Sequence, residues 1–78
     1  MTKREFILRY LIIIRKIKHS KQIKTKDLLE FLKYESEMQG YNFNISIRTL
    51  QRDIRDIESI FGICIKHNRK EGTYFISE

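Results

Sequence analysis

The sequence has no proline and no tryptophan, only three glycines, and one cysteine among its 78 residues. So few chain breakers favour regular elements joined by short connections over a low-complexity tail. A single thiol, Cys64, rules out an intramolecular disulfide, and the expected setting is the reducing cytoplasm of a cell. The longest apolar run, residues 10–14, falls far below the roughly 20 residues a membrane helix needs, so no membrane partner is expected. The opening MTKREF has no apolar stretch ending in small residues, so no secretory signal is read there. Catalytic constellations are missing too. His19 and His67 stand alone in polar surroundings without metal-ligand spacing, and no phosphate-cradling glycine loop or nucleophile elbow occurs. Cys64 lies in an apolar strand pattern and reads as an inert buried thiol. The expectation is a protein that is not an enzyme and needs no cofactor or metal.

What is present in excess is positive charge. Sixteen basic residues against ten acidic ones give a net charge of +6, a balance that suits a polyanionic partner. The excess is uneven. Residues 3–26 hold nine basic residues and one acid, Glu5, whereas residues 27–37 hold four acids and one lysine.

Hydrophobic spacing divides the chain into three helices and a hairpin. Helix one, about residues 4–18, carries Phe6, Tyr10, Ile13, Ile14 and Ile17 on one stripe. Leu8 and Ile12 fall away from that stripe, which suggests either a wide buried face or an interface for a partner. Helix two, about residues 26–39, would be capped by Thr25 and bury Leu28, Phe31, Leu32 and Met38. Glu35 would point into that face, so the expectation is either a bend or end near Tyr34 or a partner for Glu35. Gly40 is a natural stop, and the connection up to Ile45 is longer than a tight helix-turn-helix uses. Helix three, about residues 47–61, opens at Ser46 as N-cap, with Ile45 and Leu50 spaced as a hydrophobic staple. Ile47, Leu50, Ile54, Ile57 and Phe61 share one face before Gly62. A hairpin at about residues 63–77 turns at residues 68–72, and Ile23 can add a short third strand. The order predicts an α+β winged helix-turn-helix: a three-helix bundle with a C-terminal β-hairpin wing.

Opposite the apolar face of helix three stand Arg48, Arg52, Arg55 and Ser59, with Gln51 at their edge. An α-helix fits the major groove of B-DNA, where arginine pairs bidentately with guanine and glutamine with adenine. The N-terminal half of such a helix meets the bases, which nominates Ser46, Ile47, Arg48, Thr49, Gln51 and Arg52. Arg55, one turn on, suits a phosphate. Lys66, Arg69 and Lys70 near the hairpin tip suit backbone contacts of a wing. Lys24 and Lys26 flank the start of helix two, which can itself receive a phosphate. The ordinary alternative is a solvated face tied by local ion pairs, Arg52 with Asp56 and Arg55 with Glu58. Asp53 and Asp56 are placed on a separate flank. Two other functions compete: a protein-interaction winged helix using Leu8, Ile12 and the acidic second helix, and an RNA-binding domain stacking bases on Tyr41 and Phe43.

The segment Ser46-Ile47-Arg48-Thr49-Leu50-Gln51-Arg52-Asp53-Ile54 resembles the S-x-R-T-[I/L/F]-x-R-D-[I/L] stretch of DeoR-like winged helices. The closest resemblance is to the N-terminal domain of bacterial WYL-domain transcriptional regulators. Glu71-Gly72-Thr73-Tyr74 looks like that family's glycine-tyrosine wing, with Thr73 where a second glycine is common. The resemblance implies a double-stranded DNA-binding module, acting as a homodimer, with Ser46, Arg48, Thr49, Gln51 and Arg52 at recognition positions. It further implies an effector-sensing domain beyond Glu78, so any effector would bind outside this chain.

Overall fold

The computed structural model describes residues 3–77. Its elements follow in the order α1 (Lys3–Ser20), β1 (Gln22–Lys24), α2 (Thr25–Gln39), α3 (Ile47–Phe61), β2 (Ile65–Asn68) and β3 (Thr73–Ile76). This is the α+β winged-helix arrangement. The three strands form one antiparallel sheet in the order β1-β3-β2, with Ile23 opposite Tyr74 and Ile65 opposite Ile76. The strand at Ile23 gives the hairpin the third partner that a stable small sheet needs.

The core gathers Tyr10, Ile13, Ile14 and Ile17 of α1, Leu28 and Leu32 of α2, and Leu50, Ile54 and Ile57 of α3. Ile23, Ile65 and Tyr74 join from the sheet and Phe43 from a loop. Helix α1 is the hub, lying against α2, α3, β1 and β3. That position explains its surplus of apolar residues. Leu8 and Ile12 are half-buried and pack against the core, which makes them part of a wide buried face, and Ile12 also lines a surface concavity with Phe31 and Glu35. The exposed apolar positions of α1 are instead Ile7 and Leu11, at 50% and 41%.

Several helix ends differ from expectation. Helix α1 continues to Ser20 and stops at Lys21, whose φ of 66° lies in the left-handed region despite its side chain. Thr25 does not cap α2 with its own side chain. Lys24 takes the N-cap position without a side-chain bond, and the Thr25 N–H donates to the Gly72 carbonyl at 3.1 Å. The physical reason is the sheet: Lys24 pairs with Thr73, which carries the wing's Gly72 to the first turn of α2. Helix α2 does not stop at Tyr34. Glu35 is half-buried and finds a partner, accepting a hydrogen bond from Gln39 Nε2 at 2.5 Å, and the helix runs on to the Gly40 cap as expected. Met38 and Phe61, expected on buried faces, are both exposed. Core positions end earlier in each helix, at Leu32 nearly two turns before Met38 and at Ile57 one turn before Phe61.

The long connection at residues 40–46 is tied in place. Ser36 Oγ donates to the Tyr41 carbonyl at 2.5 Å and accepts from the Phe43 N–H at 3.0 Å. Phe43 is thereby held fully buried in the core, with the Tyr41 ring 5.7 Å away. Burial removes Phe43 as a platform for stacking a base, and with it the main feature favouring RNA.

Candidate functional site

The most regular surface belongs to α3, and its ordering begins at Ser46. Ser46 Oγ accepts the Thr49 N–H at 3.2 Å and its carbonyl accepts the Leu50 N–H at 2.9 Å. The first bond satisfies a donor that a helix start leaves orphaned and the second is the first bond of the helix ladder; together they fix the first turn. Ile45 is half-buried against the core. Leu50, Asp53, Ile54 and Ile57 are buried, so the opposite side of α3 must face outward.

That outward side presents Arg48, Gln51, Arg52 and Arg55, all exposed, with Thr49 half-buried beside them. These five residues line one shallow concavity. Arg48 and Arg55 are seven residues apart, roughly 10 Å along the helix axis, which spans about three base-pair steps. Among the described residues, none of the three arginines lies within ion-pairing distance of a carboxylate. The local pairs Arg52 with Asp56 and Arg55 with Glu58 are therefore not formed. Ser46 and Ile47 are exposed at the N-terminal edge of the same helix.

The wing forms a second basic group with its own support. Asn68 Oδ1 accepts the N–H groups of Lys70 and Glu71 at 3.0 and 3.3 Å, and Gly72 turns the chain with φ of 66°. Lys66, Arg69 and Lys70 are all exposed. The Gly72 carbonyl also accepts Thr25 Oγ1 at 3.4 Å, so the base of the wing is fastened to the start of α2. Lys24 and Lys26, both exposed, flank that junction. The start of α2 and the wing are thus brought together, while the α3 arginines form a separate cluster.

Two acids on α3 prove to be structural. Asp53 is fully buried and receives Arg9 Nε at 2.5 Å and Arg9 Nη2 at 2.9 Å. Arg9 is itself only 1% exposed and lies 5.1 Å from the Phe6 ring centre. One turn further along α3, Asp56 Oδ2 accepts the Tyr10 hydroxyl at 3.0 Å. Burial pushes the Asp53 carboxyl above the ordinary carboxylate range, and the Arg9 guanidinium only partly pulls it back. Tyr10 is raised by its own burial and by the hydrogen bond to Asp56. The sequence carries a signal for this pair. Arg9 sits three residues after Phe6 and four before Ile13, and Asp53 three after Leu50 and four before Ile57. Each charge therefore interrupts an apolar stripe, and opposite charges in two such stripes predict a partnership.

Among the described residues, no group of three or more His, Cys, Asp and Glu could hold a metal ion. His19 and His67 are exposed, the latter with its ring 4.6 Å from Tyr74, and Cys64 is half-buried. No helix of the described residues is long and apolar enough to cross a membrane. Compared with known proteins, the chain matches no family model, no curated protein and no solved structure.

Proposed function

We propose that this chain binds double-stranded DNA sequence-specifically, as the DNA-binding domain of a bacterial transcriptional regulator of the WYL-domain type. One observation carries the proposal: three exposed arginines, none paired to a carboxylate among the described residues, share a concave helix face with Thr49 and Gln51. Guanidiniums held together without direct ion-pair partners create a positive surface that attracts phosphate, and their forks match guanine edges. Arg48, Gln51 and Arg52 read bases, with Ser46, Ile47 and Thr49 at the edge of that zone. Arg55 meets a phosphate. Lys66, Arg69 and Lys70 of the wing, and Lys24 and Lys26 at the start of α2, meet the backbone on either side. Two copies acting in the cytoplasm on half-sites about one helical turn apart would give the affinity that a single small module lacks.

Selection of random duplexes by the purified chain at two salt concentrations tests this. The expected result is a defined site whose affinity falls steeply with salt. Changing Arg48, Arg52 and Arg55 together to Ala should abolish selection. It should also make the salt slope shallower, by about 0.9 for each phosphate these arginines neutralise in the parent. Duplex affinity untouched by that triple change would refute the proposal. A protein-interaction role draws support from a groove between α1 and α3 lined by Phe6, Ile7, Tyr10 and Ile60 together with Arg52 and Asp56, of which Ile7 and Ile60 are well exposed. It predicts salt-insensitive binding to a protein and negligible duplex affinity.

A further inference from the structure

We propose that the buried Arg9–Asp53 pair is a positioning device. It sets the roll and axial register of α3 against α1, and so the direction in which Arg48, Arg52 and Arg55 point. The proposal rests on α3 being the helix that meets DNA. Asp53 adjoins Arg52 in sequence and lies two residues before Arg55, near the middle of α3. Successive residues of a helix project about 100° apart, so the direction of Asp53 dictates the directions of both arginines.

The apolar contacts of α3 leave that direction under-determined. Leu50, Ile54 and Ile57 bury their surface without directional preference, and such faces tolerate small slides and rolls. A guanidinium fork on a carboxylate has one good geometry, with both bonds in a common plane. Here both bonds are made, at 2.5 and 2.9 Å. The guanidinium is seated in turn by the Phe6 ring. The next residue of α1, Tyr10, grips Asp56 one turn along α3. Two adjacent residues of one helix thus hold two acids of the other, which fixes rotation as well as position. Recognition groups must be held within about 0.5 Å and 10–20° of their working geometry, tighter than a greasy contact alone enforces. Stability is a poor explanation for the pair, because replacing a buried ion pair by apolar groups of similar volume is often neutral or stabilising.

The test compares the parent chain with Arg9→Met/Asp53→Leu, which fills the space without the fork. A second variant, Arg9→Lys, keeps the charge without the fork and serves if the first fails to fold. Preference for the selected duplex over random duplex is measured well below each melting temperature, where folding is complete. It should fall about tenfold or more, the loss equivalent to one mismatched base pair. The salt dependence should stay unchanged, because the phosphate-facing charges remain. Residual dipolar couplings of the backbone amides give the orientation of α3 relative to α1, and it should move in whichever variant folds. A folded variant that keeps the parent's preference to within twofold, or the parent's helix orientation, overturns the proposal. If the parent itself selects no duplex, the DNA-binding proposal fails, and the helix orientation alone still decides the role of the pair.

Discussion

Truncating Asp53 to Ala removes both oxygens that receive Arg9 and leaves the guanidinium in a site where Arg9 is only 1% exposed. Removing one member of a buried ion pair costs about 3–5 kcal/mol, because the other charge keeps its burial and loses a close, directional partner. A chain of 78 residues has about 4–12 kcal/mol of total stability at typical values per residue. The change therefore consumes a quarter of the total or more. For a domain of this size each kcal/mol moves the melting temperature by about 4–8 °C, which gives an expected drop of roughly 12–40 °C. Circular dichroism at 222 nm through a thermal ramp reads this directly, and a urea titration checks that the slope of the transition is preserved. Arg9→Met/Asp53→Leu provides the control, since removing both charges should leave the melting temperature at or above the parent's. A melting temperature for Asp53→Ala within about 5 °C of the parent's, the shift expected from roughly 1 kcal/mol, would refute the burial and pairing described above.

Two further outcomes follow from local geometry. Ser46→Ala removes the oxygen that accepts the Thr49 N–H; it should cost about 1 kcal/mol, or about 4–8 °C of melting temperature, while Ser46→Asp should retain most of the stability. Because the Asp53 carboxyl titrates above its ordinary range in the folded chain, the folded state holds that proton more tightly than the unfolded one. This group's contribution must therefore decline as pH rises from the ordinary carboxylate range through the raised value. Comparing the pH dependence of stability for the parent and for Arg9→Met/Asp53→Leu isolates the effect, and a parent that gains stability relative to the variant over that interval would contradict it.

Much of the fold is legible in the sequence because local and long-range signals agree. On α3, cap, staple, apolar stripe and glycine stop coincide, and the observed limits Ile47–Phe61 match those read from spacing. The third strand at Ile23 follows from the weakness of an isolated hairpin. What spacing cannot supply is the identity of the facing surface. Leu8 and Ile12 are surplus only if α1 buries one side, whereas it packs against the sheet and two helices. Thr25 has the chemistry of a cap, but the wing's Gly72 carbonyl reaches the first turn of α2 through strand pairing 47 residues away in sequence. The end of α1 is illegible for another reason. Lys21 takes a left-handed conformation that normally signals itself through glycine or asparagine.

The Arg9–Asp53 pair shows how a correct charge count can mislead about location. By sequence position Arg9 belongs to the basic pole and Asp53 to a flank of α3, yet each is withdrawn from solvent. Removing one charge of each sign leaves fifteen basic and nine acidic residues, so the balance stays at +6. The attraction to a polyanion is unchanged in magnitude, but α3 now shows a cleaner surface. Asp53 points inward, away from the exposed guanidiniums, while Asp56 is half-buried, engaged by Tyr10 and beside Arg52 in the groove between α1 and α3. Under the proposed DNA-binding role, burying the carboxylate next to Arg52 would serve two ends at once: it would orient the helix and keep a like charge from the path of an approaching phosphate.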